Sequence, residues 1–388
     1  MIGSNSSSNR PGHDRRTTTL MMTSLRPRRI ACLASAWMVL AAAQPLAAFP
    51  GPIPAYPPHH DPMQLLLPDG SLQPIRSLSQ WKQRRDHILG SLQQVMGRLP
   101  DRSQQVSSDV RIHETSMIGP LRRSRISFRS DMSGRVTAYL FFPAASLTTA
   151  RHPAVLCLQQ TNREGNLEAA GISGNLELAH ALHLAGRGYV TMAADYPGFG
   201  KSTYDFNPGH GYASGTMKAI WDNIRAVDVL SNLKRVDPAR IGVIGHSLGG
   251  HNAMFTAAFE PRLRVIVSSC GFTRFHKDDV PSWSGPRYMP RIRTRFGSSA
   301  DRMPFDFPEI IGMLAPRPFL AIAAKRDRDF DYTGVLDSID AARPVYGLYA
   351  ASSSLQAAYP DLKHSFPSSS RSLADRFLDR HLQNDPSQ

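Results

Sequence analysis

Cysteine is scarce in this chain: 388 residues hold three. Cys32 falls in an N-terminal stretch that reads as removable, leaving Cys157 and Cys270, each at the end of a strand-like apolar run. So few cysteines exclude a disulfide framework, and no Cys/His cluster has ligand spacing, so no metal and no cofactor are expected. No apolar run is long enough to span a bilayer comfortably, and no internal repeat is present. Helix-turn-helix, zinc-finger and aromatic stacking motifs are missing too, so the formal net charge of +14 does not make a nucleic-acid partner. Six bases and one acid lie within residues 1–48, and 45 minus 6 bases against 31 minus 1 acids leave +9 for the rest. That excess is mostly arginine spread through loops such as Arg287 to Arg295. A solvated face is its default explanation, and acidic polymers, uronate-bearing glycans or an anionic cell envelope are the partners it favours.

What is present starts with a targeting pattern. Residues 1–20 are rich in Ser, Asn, Arg and Thr, and Met21 or Met22 is a candidate start. Leu25-Arg26-Pro27-Arg28-Arg29 forms a basic region, Ile30 to Ala43 an apolar one, and Leu46-Ala47-Ala48 a small-residue cleavage site. Residues 1–48 are therefore expected to be an extension and signal peptide. The expected location is periplasmic or secreted, without stable membrane insertion after cleavage; a retained anchor is the alternative. Residues 49–78 form a Pro-rich lead-in, with 49–62 expected as an extended surface strap.

Gly245-His246-Ser247-Leu248-Gly249-Gly250 follows the β-branched run Ile241-Gly242-Val243-Ile244 and precedes a helical stretch, His251 to Phe259. A Gly-x-Ser-x-Gly between a strand and a helix is the nucleophile elbow of α/β-hydrolases, where small residues flank a serine forced into a tight turn. Ser247 is the candidate nucleophile. Its partners should follow in the order acid, then histidine. The apolar run Arg317 to Ala324 is of buried-strand length, and Asp327 and Asp329 leave its C-terminal end, where catalytic groups of open α/β sheets gather. His364 sits in a polar loop before an amphipathic helix, Ser372 to Leu382, and is the candidate base. His246 and His251, beside the serine, are poorly placed for that task.

His152 to Thr161, Arg187 to Gly200, the elbow and Ala315-Pro316-Arg317-Pro318 together resemble successive landmarks of the α/β-hydrolase superfamily, over nearly everything after residue 100. The chain is most similar to the bacterial dienelactone hydrolase-like and acetyl xylan esterase-like branch, related to prolyl oligopeptidase-type catalytic domains. The resemblance implies an α/β fold, a mostly parallel eight-stranded sheet with helices on both faces. It places the acid eight positions before the valine of a Gly-Val pair, so Gly334-Val335 selects Asp327. It also implies an oxyanion hole from the backbone N–H groups of Leu248 and Thr161. Where many relatives carry histidine this chain has Gln159-Gln160, a change that main-chain donors tolerate. Cys157 and Cys270 fall on strands that are not neighbours in the family's order, so they read as buried small hydrophobes.

Ser79 to Arg98 resembles the helix that leads into such sheets, and Val110 to Phe142 reads as antiparallel edge strands with turns at Ile118-Gly119-Pro120 and Asp131-Met132-Ser133-Gly134. Residues 79–388 make the hydrolase domain, with 272–308 a cap-like insert whose Trp283 and Tyr288 either line a substrate pocket or pack the insert down. The expected function is an exported serine hydrolase cleaving a small-molecule or polysaccharide carboxylic ester, with an acetyl xylan-type ester the favoured candidate. A prolyl oligopeptidase-type peptidase is the enzymatic rival, against which stands the lack of room for a β-propeller. A non-enzymatic hydrolase-fold binding protein is the other, against which stand the three triad candidates.

Overall fold

The computed structural model describes residues 54–383 apart from 57–58, 133, 144–149, 208 and 210. The expected signal segment and the first residues of the lead-in lie outside the described residues. The first elements are a two-stranded antiparallel ladder, β1 (Gln64–Leu66) and β2 (Leu72–Pro74), and helix α1 (Leu78–Met96). Ser77 caps α1 by accepting the N–H of Gln80.

Nine further strands form one sheet: β3 (Arg111–Ile118), β4 (Leu121–Arg129), β5 (Arg135–Phe142), β6 (His152–Leu158), β7 (Val190–Ala194), β8 (Val236–His246), β9 (Leu263–Ser269), β10 (Phe319–Ile322) and β11 (Leu355–Ala358). Their order is β11-β10-β9-β8-β6-β7-β5-β4-β3. β6 to β11 pair parallel, and β3, β4 and β5 extend the sheet antiparallel. The expected count of eight is corrected to nine. The antiparallel edge expected over Val110 to Phe142 is present as β3, β4 and β5, of which β3, the outermost, is mostly exposed and adds ladder hydrogen bonds but little buried surface.

The other helices are α2 (Asn166–Ala169), α3 (His180–Gly186), α4 (Gly215–Asn232), α5 (Leu248–Phe259), α6 (Arg291–Thr294), α7 (Phe307–Leu314), α8 (Tyr332–Leu348) and α9 (Ser368–Leu378). The two-residue period of the strands divides the core between both faces. Ala154, Leu156 and Leu158 of β6 join one cluster with α1, α4, α5, α7 and α8, whereas Val155 and Cys157 join a second with α3 and α9. That is why the parallel strands read as continuous apolar runs. Each large side chain so enclosed contributes about 1.5–3 kcal/mol. Cys157 and Cys270 are buried and unbridged, and β8 separates their strands.

The lead-in departs from a surface strap at Tyr56. This side chain is buried beneath the guanidinium of Arg84, 3.3 Å from the ring centroid, and hydrogen-bonds His87 Nδ1 at 2.6 Å. Arg84 in turn pairs with the buried Glu309 of α7. An aromatic with a polar tip is drawn under α1 because one cation serves both ring and carboxylate. The last helix starts at Ser368, four residues before the expected Ser372, and passes into a wider turn at Asp379–Gln383.

The insert 272–308 carries only short helices and reaches into α7 at its end. It is welded down: Phe272, Phe275, Met289, Ile292, Met303 and Phe305 are buried in the first core, and Tyr196 Oη donates to the Arg287 carbonyl at 2.7 Å.

Candidate active site

The chain places β7 beyond β6 on one side and β8 on the other, so the winding reverses between β6 and β8. Loops leaving the carboxyl ends of such neighbours diverge and open a crevice. Leu158 pairs with Gly245 at that point, which sets the loop carrying Thr161 beside the turn carrying Ser247.

Ser247 has φ 54° and ψ −124°, a conformation that non-glycine residues occupy only under constraint. The constraint is steric. A Cβ on Gly245 would lie 2.2 Å from Gly249 C, and one on Gly249 would lie 2.2 Å from the Leu158 carbonyl oxygen, so only glycines let strand, turn and helix approach this closely. The Ser247 N–H donates to the Ser269 carbonyl at 2.8 Å, tying the turn to β9. Leu248 opens α5, and its N–H belongs to the helix's first turn, where donors lack intrahelical partners.

Asp327 and His364 arrive from the ends of β10 and β11. The two side chains meet at 2.8 Å through His364 Nδ1 and Asp327 Oδ2; Asp329 Oδ2 is 3.6 Å from the same nitrogen. The Asp327 carboxylate is almost fully covered and that of Asp329 is 66% exposed. Asp327 Oδ1 also accepts the N–H groups of Asp329 at 2.9 Å and Phe330 at 3.2 Å. Burial works against its charge, yet the His364 contact and these N–H groups outweigh burial and hold its pKa below the ordinary value.

Ser247, Leu248, Thr161 and Asp327 line one cavity of about 870 Å³, together with Trp283 and Tyr288 of the insert. Much of the remaining wall is charged, with Lys277, Asp278, Asp279, Lys325, Arg328 and Asp329 around it, and Phe330 and Tyr332 add two further rings. Trp283 both lines and packs. Its indole lies on the His251 ring and its Nε1 donates to Asp278 Oδ2 at 2.9 Å. Tyr288 Oη is 3.0 Å from Thr161 Oγ1, joining the insert to the β6 loop. A ring series continues from Trp283 through Phe330, at 6.0 Å, to His364, at 5.9 Å.

Sequence reasoning passed over Lys277, Asp278 and Asp279 of this wall. Burial pushes the Asp278 carboxyl up to about 7 and the Cys270 thiol up to about 12. It pushes the imidazoles of His246 and His251 down to about 3, so both are neutral props and not proton carriers near neutral pH. Cys270, Asp327 and His364 form the one cluster of potential metal ligands among the described residues. The His364–Asp327 contact already engages two of its members. Nothing local in the sequence marks Asp278, whose place depends on how the insert folds back.

The family described as prolyl oligopeptidase matches residues 176–383. The chain is 28% identical to YtaP of Bacillus subtilis (strain 168) over 260 residues, 60% of this chain and 78% of that protein. It is 23% identical to the 4-O-methyl-glucuronoyl methylesterase of Phanerochaete carnosa (strain HHB-10118-sp) over 322 residues, 76% and 74% of the two chains. Among solved structures it superposes on the glucuronoyl esterase from Solibacter usitatus with a TM-score of 0.63 at 20% identity, covering 85% of this chain and 99% of that one.

Proposed function

Because the chain belongs to the prolyl oligopeptidase family and is a carboxylic ester hydrolase of the α/β-hydrolase fold, we propose that it is an exported serine esterase acting on carbohydrate esters. One observation carries this reading: a serine in a strained strand-to-helix turn shares a cavity with the Asp327 carboxylate that holds His364. A wall of charged groups with the rings of Trp283, Tyr288, Phe330 and Tyr332 suits a hydroxyl-rich sugar better than an apolar acyl chain.

In this mechanism His364 takes the Ser247 proton as the serine oxygen attacks the ester carbon. Asp327, on Nδ1, fixes the tautomer that leaves Nε2 free to accept and stabilises the imidazolium that forms. The Leu248 and Thr161 N–H groups hold the tetrahedral oxygen. The alcohol leaves with the proton from His364; water, activated by the same base, then cleaves the acyl-serine and restores the enzyme. No helix of the described residues is long and apolar enough to cross a membrane. Export rests on the basic-apolar-small pattern of residues 25–48.

Two esters fit: an acyl group carried by a sugar hydroxyl, as in acetylated xylan, or a uronic acid esterified at its own carboxyl, as the names of the glucuronoyl esterase relatives suggest. Purified protein and Ser247→Ala are to be compared on p-nitrophenyl acetate, acetylated xylan, a glucuronic acid methyl ester and a proline-containing peptide amide. Turnover of any ester by wild type alone supports the reading, and the faster carbohydrate names the class. Turnover of the peptide alone replaces it with a peptidase.

A further inference from the structure

Five arginines share one face of the sheet's antiparallel extension. Arg111 stands opposite Ser127, Glu114 opposite Arg125, and Arg129 opposite Arg135, while Tyr139 and Phe141 stand opposite Arg125 and Arg123. Residues two apart on a strand share a face, so Arg123, Arg125 and Arg129 point to the side of Tyr139 and Phe141. Phe141 and Ser127 are buried on that side, but its arginine rim reaches solvent: Arg111, Arg125 and Arg135 are 62%, 38% and 25% exposed.

Charge on this face is unbalanced. Asp109 is shared by Arg111 at 3.1 Å and Arg135 at 2.6 Å, and Glu114 reaches Arg125 only at 3.9 Å. Among the described residues the Arg123 side chain has only the Tyr139 ring, 5.8 Å away, and the Arg129 side chain has no ion pair or hydrogen bond. Arg129 and Arg135 oppose each other directly, an arrangement that costs stability because like charges on paired strands repel. Arg111, Arg129 and Arg135 surround a hollow of about 270 Å³ with Asp109, Met132 and Gly134. From Arg123 to Arg129 the strand runs about 20 Å at roughly 3.4 Å per residue, long enough to follow a chain of anions.

We propose that this face binds a polyuronate chain, with the hollow at Arg111 and Arg129 seating one of its carboxylates. Guanidinium forks suit carboxylates, and the half-buried Tyr139 ring offers an apolar patch among them. The choice of a glycan rests on the carbohydrate-ester reading of the cleft. Duplex DNA is the rival polyanion, but a broad three-stranded face is neither the helix nor the two-stranded ribbon that a major groove admits.

The test uses Ser247→Ala protein, which is not expected to turn substrate over, titrated with polygalacturonate, neutral xylan and duplex DNA. Beside it stands the same protein with Arg123→Ser, Arg125→Ser and Arg129→Ser. Polygalacturonate should bind the parent at least tenfold more tightly than the triple variant, and the gap should shrink as salt rises. Xylan should not distinguish the two. Should the triple variant misfold, Arg129→Gln, which removes the opposed charge and should melt no lower than its parent, still predicts a loss of severalfold. Equal polygalacturonate affinity in parent and variants overturns the proposal, and tighter binding of DNA overturns the glycan assignment. Since no turnover is read, failure of the esterase reading would show separately, as absent ester cleavage by wild type.

Discussion

The indole of Trp283 lies flat on the imidazole of His251, with 4.1 Å between ring centroids and 10° between planes. His251 sits one turn along α5 from Ser247, so the insert's wall rests on the helix that the elbow begins. Trp283→Ala should raise KM and reorder the preference among carbohydrate esters, and should cost on the order of 3 kcal/mol of stability through the void it leaves. Fluorophosphonate labelling of Ser247 should persist, since labelling needs only an activated serine and its oxyanion donors. Lost labelling together with equal fractional losses on short and polymeric esters would show that Trp283 supports the catalytic turn itself.

Ser247→Ala should lower kcat by several orders of magnitude and abolish probe labelling. Ser247→Gly should be as inactive, yet melt above Ser247→Ala, because glycine tolerates φ 54° and alanine keeps strain of about 1 kcal/mol. Thermal melts of the two variants check the strain, and the probe checks the nucleophile.

Asp327→Asn should cripple turnover, because an amide lets the imidazole take the wrong tautomer. Asp329→Asn should cost far less, its carboxylate being solvated and 3.6 Å from the ring nitrogen. Steady-state kinetics of the pair decide the assignment, and a larger loss at Asp329 reverses it.

His251 should make stability depend on pH in one direction. Burial lowers its pKa from 6.5 to about 3, so between these values the unfolded chain binds a proton that the folded chain refuses. Its contribution is intact above pH 6.5 and is lost as pH falls towards 3. His251→Phe keeps an aromatic ring against Trp283 without the proton. The stability of wild type relative to His251→Phe should therefore fall by about 1.4 kcal/mol per pH unit from pH 6 to pH 4. Denaturant melts across that range measure it, and a flat difference would show that His251 charges within the fold.

Local chemistry was legible from the residues alone. The elbow is a contiguous pattern, since the glycines that permit the turn and the serine it strains lie within five positions, and the apolar runs of β6, β8 and β10 announce buried strands because both their faces meet helices. What needed the tertiary structure was anything depending on how distant segments meet. The resemblance already selected Asp327 through Gly334-Val335, but that one carboxylate is covered and the other solvated follows only from the loop that brings His364. The total of nine strands needed the pairing of the edge, although the edge strands themselves were legible, and Asp278 reaches the cleft only through the fold of residues 272–308. The arginines of β3, β4 and β5 read as scattered charges along the chain. Cross-strand register gathers them on one face, and register is set by pairing between segments, which no single stretch of sequence contains.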